Sequence, residues 1–159
     1  MYFSRKYGLI ASVIILMGLS LVSCSESKVS QCQRLIAEVN RGTSLLDHTK
    51  AKQPSGALEL AKDLKEVTQA VADIKLADEE LQKYQSRFVK VFDSMTKSID
   101  KAATALDSAT KAQVTPTGRT QINKAKKDID AAFKSANDAA KQADNLAVQV
   151  NRYCKSNNK

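Results

Sequence analysis

Apolar side chains recur every three or four residues along most of this chain, and this spacing constrains its fold more than any other feature. Such spacing places apolar side chains on one face of an α-helix. The 159 residues contain only 5 glycines and 2 prolines, so few positions interrupt a helix. Tryptophan is absent and aromatic residues make up 5%, which argues against a sandwich core. The sequence therefore predicts one all-α domain.

Two short helices come first in residues 30–155. The first is predicted to begin at Ser30, which forms a capping-box pattern with Gln33. Residues 49–56 connect it to the second helix, and residues 75–78 form a turn in which Asp78 is the predicted N-cap of the third helix. The predicted inward faces are Val29, Cys32, Ile36, Val39 and Leu46, with Thr43 at one inward place, and then Ala57, Leu60, Leu64, Val67, Val71 and Ile74.

The third and fourth predicted helices are longer. The third follows its N-cap Asp78 and runs to about Gln113, and the fourth runs from about Gly118 to Tyr153, with Thr115–Gly118 as the polar tip between them. Short loops place consecutive helices antiparallel. The sequence therefore predicts an antiparallel up-down four-helix bundle in which the long pair projects as a hairpin. The apolar face of the fourth helix is predicted to comprise Ile122, Ala125, Ile129, Phe133, Ala136, Ala140, Ala143, Ala147 and Val150.

The first 23 residues have the composition of a targeting segment. Arg5 and Lys6 precede an uncharged apolar run, Gly8–Val22, that is shorter than the roughly 20 residues of a membrane span. The run ends in Leu21-Val22-Ser23-Cys24, which resembles the lipobox of bacterial lipoproteins. The resemblance implies a signal peptide at 1–23, a lipid-bearing Cys24 that opens a tether at 24–29, and the bundle at 30–155. An uncleaved N-terminal anchor and an ordinary cleaved signal are the alternatives.

The same resemblance implies a location in the cell envelope. Lipoproteins carry several acyl chains, and two or more are needed for stable membrane attachment. Ser25, rather than aspartate, follows the modified cysteine. By analogy this residue implies sorting to the outer membrane, on its periplasmic side, where the host has one.

Two further cysteines, Cys32 and Cys154, lie near the two ends of the predicted bundle. An even pair in an oxidising compartment favours a disulfide. Four antiparallel helices also bring the start of the first helix beside the end of the fourth. The alternative is two separate buried thiols.

The positive charge is concentrated in the last helix. The chain carries a net charge of +8, and residues 116–159 contain 9 basic and 4 acidic side chains. The basic residues Lys127, Lys134, Lys141 and Arg152 fall within about 40° of one another around the helix. This face is predicted to contact an anionic surface, either lipid headgroups or an acidic envelope protein. An ordinary solvated face is the alternative, and no nucleic-acid partner is expected.

No catalytic or cofactor-binding pattern is recognisable. The single histidine, His48, has no second ligand at metal-binding spacing, and no glycine-rich phosphate loop occurs. The sequence therefore predicts no enzyme, no metal site and no cofactor. The aromatic residues Tyr84, Phe88, Phe92 and Phe133 are predicted to be core, and a groove for an apolar ligand among them is the alternative.

The segment Leu76–Leu106 includes the turn, Leu81-x-x-Tyr84 and Arg87-Phe88-Val89. It resembles small helical lipoproteins of uncharacterised function in cyanobacteria and related bacteria. That resemblance agrees with four helices and implies no binding residues. The predicted function is a non-enzymatic, membrane-anchored interaction or structural module of the envelope. The alternative is a carrier of a small hydrophobic ligand.

Overall fold

The computed structural model describes residues 26–47 and 54–156, which form four α-helices. They are α1 (Lys28–Asp47), α2 (Pro54–Asp73), α3 (Glu79–Thr110) and α4 (Pro116–Ser156). The predictions for the leader, Cys24 and His48 lie outside the described residues.

The four helices close into a bundle of unequal lengths. α1 and α2 have 20 residues each, α3 has 32 and α4 has 41, which corresponds to about 30, 30, 48 and 62 Å. Consecutive helices pack against each other, and α1 also contacts α3 and α4. The prediction of an all-α four-helix bundle with two short and two long helices is confirmed.

Side chains cap the helices that meet at the α2–α3 turn. The Asp78 carboxylate accepts a hydrogen bond from the Leu81 amide at 2.9 Å, which confirms Asp78 as the N-cap of α3. The Gln85 amide donates to the carbonyl oxygens of Val71 and Ile74 at 2.7 and 2.8 Å. These bonds satisfy carbonyl groups that the end of α2 leaves without helical partners.

The start of α1 differs from the prediction. The helix begins at Lys28, and the Ser27 hydroxyl accepts a hydrogen bond from the Ser30 amide at 3.2 Å. The predicted capping box at Ser30 is therefore wrong, because Ser27 is the residue that satisfies the free amide of the first turn. The Ser30 hydroxyl instead donates to the Glu26 carboxylate at 2.7 Å.

The buried face of α1 also differs from the predicted one. Leu35, which the apolar series omitted, is fully buried, whereas Val29 is 44% exposed and Ile36 is half-buried. The buried face continues through Gly42, where an added Cβ would lie 2.8 Å from Cζ of Phe92. At this level the inward residue is a glycine, and an aromatic ring from α3 fills the space beside it. A search for apolar side chains in α1 therefore does not detect this part of the buried face.

The contact between α3 and α4 runs through small side chains. The hydroxyl of Ser98 in α3 and that of Ser135 in α4 are hydrogen-bonded at 3.0 Å, and small residues allow the two backbones to approach closely. Buried residues of α4 recur every seven positions, at Gly118, Ala125, Ala132, Ala139 and Leu146.

The larger apolar side chains of upper α4 lie outside this contact. Phe133 is 66% exposed and Ile122 is 45% exposed, so the prediction that Phe133 belongs to the core is wrong. Phe88 and Phe92 are fully buried, as predicted, and Tyr84 is half-buried. Phe133 and Ile122 are exposed because alanines form the side of α4 that packs against α3. The larger apolar residues lie on the adjacent side of the helix.

Candidate interaction surfaces

The two cysteines meet at the end of the bundle where α1 begins and α4 ends, which we call the disulfide end. The Sγ atoms of Cys32 and Cys154 lie 2.08 Å apart and their Cα atoms 6.0 Å apart. The predicted pairing is therefore confirmed. The bond joins residues separated by 122 positions, so it links the first helix of the bundle to the last.

A buried glutamine ties α1 to the α2–α3 turn at the same end. Gln31 is 3% exposed, and its side-chain oxygen accepts hydrogen bonds from the amides of Ala77 and Asp78 at 2.7 and 3.0 Å. Its side-chain nitrogen donates to the carbonyl of Glu26 at 3.0 Å. Sequence reasoning missed this residue, because a polar side chain on an amphipathic helix is ordinarily assigned to solvent.

A second polar cluster joins α4 to the start of α3. The Tyr153 hydroxyl lies 3.0 Å from both carboxylate oxygens of Asp78. Lys28 lies 3.9 Å from the same carboxylate, and its ammonium is 3.4 Å from the centre of the Tyr153 ring. Asp78 therefore contacts α1 and α4 in addition to capping α3.

These contacts lower the pKa of Asp78. Partial burial of the carboxyl group opposes ionisation, but it is outweighed by hydrogen bonds from the Leu81 amide and the Tyr153 hydroxyl and by the positive charge of Lys28. A depressed carboxyl pKa stabilises the fold fully at pH values above the unfolded pKa of about 3.9. The stabilisation disappears as the pH falls through the lower pKa of the folded state.

We therefore expect the thermal stability of the wild-type chain to fall more steeply below about pH 4 than that of Asp78→Asn. Asparagine keeps a good N-cap but cannot ionise. The measurement is the melting temperature by circular dichroism at neutral pH and down to about pH 2. Tyr153→Phe removes one hydrogen bond to the carboxylate and should shift the drop towards the ordinary pKa. If the melting temperatures of wild type and Asp78→Asn differed by the same amount at neutral pH and at about pH 2, ionised Asp78 would not stabilise the fold.

The basic residues predicted from the sequence share one exposed face of α4, which we call the basic face. Lys127, Lys134, Lys141 and Arg152 are all exposed. Among the described ion pairs, Lys134 is the one member of the four with a partner, Asp138 at 3.4 Å. The three lysines each follow a buried alanine by two positions, which is about 200° around the helix. The basic face therefore points away from α3.

The opposite end of the bundle is the hairpin tip at Thr115–Gly118. The Thr115 hydroxyl accepts a hydrogen bond from the Gly118 amide at 3.0 Å, at the first turn of α4. A Cβ added at Gly118 would lie 1.8 Å from the carbonyl oxygen of Gln113. The close approach of two backbones therefore requires glycine at this position. Val114, beside the tip, is 98% exposed.

A further surface lies where the short helices end, and of the four aromatic residues for which an apolar groove was the alternative prediction, Phe133 alone lines it. A groove of about 480 Å³ opens there on one side of the α3–α4 hairpin. It continues the bundle's apolar interior into the part of the hairpin that α1 and α2 do not cover. Most of its lining is apolar, and the larger side chains in it are Leu46, Leu60, Ile99, Leu106, Ile129 and Phe133.

The described residues contain no group of three or more histidine, cysteine, aspartate or glutamate side chains placed to hold a metal ion. Within the same residues, none of the four helices is long and apolar enough to cross a membrane. Comparison of the chain with protein-family models, with characterised proteins and with solved structures gives no match. The basic face, the hairpin tip and the groove are the surfaces that the geometry of the described residues offers for an interaction.

Proposed function

We propose that the protein is a non-enzymatic helical module of the cell envelope, anchored to a membrane through a lipid on Cys24. The lipobox-like segment that ends at Cys24 carries the proposal, and the position of Glu26 determines how close to that cysteine the folded domain begins. Its carboxylate binds Ser30 and Arg34 of α1, and the backbone carbonyl of Glu26 accepts from Gln31. Because Glu26 is already part of the folded domain, Ser25 alone separates that domain from the cysteine of the lipobox-like segment.

Such a short connection restricts where the domain can lie. One residue spans at most about 3.6 Å, so the disulfide end would be held at the membrane surface. α4 is about 62 Å long, and its first turn is at the hairpin tip. The module would therefore present the tip far from its anchor, or lie along the membrane with the basic face towards the headgroups.

The basic face supports contact with an anionic surface. Each lysine near a negatively charged membrane contributes about 1 kcal/mol to binding. Replacing Lys127, Lys134 and Lys141 by glutamine is expected to weaken binding of the chain, purified without its acyl groups, to vesicles containing anionic lipid by about tenfold or more at low salt. Co-sedimentation measures this change. The matched control is Lys83→Gln with Lys90→Gln and Lys97→Gln, which removes three exposed α3 lysines with the same spacing of seven.

Contacts with an envelope protein would be found by isolating the chain from its native membranes together with bound proteins. Variants of the tip, Thr115–Gly118, and of the three basic-face lysines are expected to change what is recovered. Recovery of the same proteins from both variants, together with unchanged vesicle binding, would contradict an interaction role for these surfaces.

A carrier of a small hydrophobic ligand is the second candidate function, and the groove is the observation that favours it. Its volume of about 480 Å³ lies in the range of ligand pockets. Such pockets orient their ligands with a few convergent polar groups. Here the Ser98 hydroxyl is already bonded to Ser94 and Ser135, which leaves Asn137 as the other polar lining residue. Mass spectrometry of the native protein would reveal a stoichiometric molecule if the carrier function is correct.

A further inference from the structure

We infer that the groove is covered by a second copy of this chain, whose projecting hairpin packs antiparallel against the first. The groove extends the apolar interior beyond the ends of α1 and α2, so the upper half of the long hairpin lacks the two helices that cover its lower half. The upper hairpin of a second copy supplies two helices in that position. Each half would then be a four-helix bundle, the geometry that the lower half already has.

The apolar surface of the upper hairpin extends beyond the groove. Beyond the groove lining it continues to Ile122, which is 45% exposed and lies on the same side of α4 as Phe133. Between the end of α1 and the start of α2 the sequence reads His48-Thr49-Lys50-Ala51-Lys52-Gln53. This segment contains no large apolar side chain that could match the groove. An extended apolar partner fits this surface better than a small molecule does.

The groove lining combines large and small side chains, as a surface that packs against a copy of itself requires. Large side chains at Ile129 and Phe133 stand beside small ones at Ala102, Ala103 and Ala136. A two-fold symmetric contact needs such self-complementarity, because the same patch lies on both sides of the interface. Large residues of one copy can fill the space above the alanines of the other, as in the ridges-into-grooves packing of helices.

One register of two antiparallel α4 helices satisfies the charged and the apolar residues together. Lys126 and Asp130 are exposed and lie seven and three residues before Phe133, on its side of the helix. An antiparallel pairing that places Lys126 of each copy beside Asp130 of the other also places Phe133 against Ile122. Charge and apolar contact therefore select the same alignment.

The same register matches the length of the groove. It brings the partner's tip, at Pro116, to the level of Ala140, the last α4 residue that lines the groove. Below that level α1 occupies the space, since Leu46 near the end of α1 lines the groove together with Ala140. A second copy can therefore cover the open half of the hairpin and stop where the short helices begin.

The basic faces of the two copies would point in one direction. The groove opens on one side of the hairpin, and the basic face lies on the edge of α4 away from α3. The two-fold axis would run perpendicular to the helices, from the α4 edge of the hairpin to its α3 edge. Rotation about this axis reverses the direction of the helices and turns the groove of one copy towards the groove of the other. Both α4 edges stay on the same side of the dimer. If the proposed anchoring is correct, two chains tethered in one membrane can both lay their basic faces on it.

The test is photo-cross-linking of the full-length chain in its native membranes with a photoreactive phenylalanine at position 133. We expect a species of twice the chain mass, with the attachment in the partner's α4 between positions 119 and 126. The control places the same residue at Val148, which is 59% exposed on α4 but outside the groove. Cross-linking to a lipid, to a different protein or to the chain's own leader, or no cross-linked dimer, would overturn the inference.

A second measurement uses Phe133→Asp and Val148→Asp in the purified full-length chain. Because both side chains are exposed, neither substitution should unfold the bundle. Analytical ultracentrifugation is expected to show a dissociation constant about tenfold or more higher for Phe133→Asp, and an unchanged one for Val148→Asp. A monomeric wild-type chain, or equal effects of the two substitutions, would overturn the dimer. Loss of the lipid anchor would leave the dimer intact, so the two proposals fail separately.

Discussion

Replacing Cys32 and Cys154 together by serine is expected to lower the free energy of unfolding by about 2–5 kcal/mol. The bond closes a loop with a sequence separation of 122 residues, so in the chain-entropy account it removes much of the freedom of the unfolded chain. It also holds the start of α1 against the end of α4. Chemical denaturation followed by circular dichroism measures the change.

Reduction provides the internal control for this prediction. A reductant should lower the stability of the wild-type chain to nearly that of the double-serine variant and should not affect the variant itself. A wild-type chain whose unfolding is insensitive to reduction, at a concentration that leaves no disulfide by thiol titration, would show that the bond does not stabilise the bundle.

Leu35→Ala is expected to have the second large effect, a loss of about 2–5 kcal/mol. Leu35 is fully buried in the bundle core with the apolar side chains of the other helices. Truncation removes that apolar contact and leaves a cavity, since a packed core relaxes only in part. For a domain of this size the melting temperature should fall by roughly 10 °C or more.

The matched control is Leu58→Ala, which removes the same atoms from a side chain that is 45% exposed. This variant should lose much less stability, within roughly 1 kcal/mol. Ile36→Ala provides a second comparison, because Ile36 is the residue that the apolar series placed in the core and the structure leaves half-buried. A larger loss for Ile36→Ala than for Leu35→Ala would mean that α1 is rotated from its described position.

The helices themselves were predictable because their apolar spacing is regular and breakers are few. Asp78 was also recognisable, since an aspartate followed by two glutamates is a local signal for the start of a helix. The pairing of Cys32 with Cys154 followed from the even number of antiparallel passes. Each of these features depends on the order of residues along the chain, or on topology alone.

The rotation of each helix was harder to predict. On α4 alanines occupy several faces, so an apolar series can be drawn through Phe133 and Ile129 as well as through the alanines that actually meet α3. On α1 the inward position at Gly42 is filled by Phe92 from another helix. Which face is buried in such helices is decided by the neighbours, and a single sequence does not contain that information.

The groove was predictable only in part, because the sequence indicated two short helices beside a longer projecting pair but placed Phe133 in the core. Its residues form an ordinary apolar face, and the face becomes a groove only because α1 and α2 end below it. The relative lengths and alignment of four helices therefore determine it. Phe133 and Ile122 are exposed because, in that alignment, α1 and α2 do not reach them.

The intact mass of the protein isolated from its own host membranes tests the central claim most directly. The claim is that the bundle is held at a membrane by a lipid on Cys24, with Ser25 as the single residue between anchor and fold. The predicted mass lacks residues 1–23, carries acyl groups on Cys24, and is lighter by two hydrogens for the bond between Cys32 and Cys154. A mass that includes residues 1–23, or an unmodified Cys24, would contradict the account.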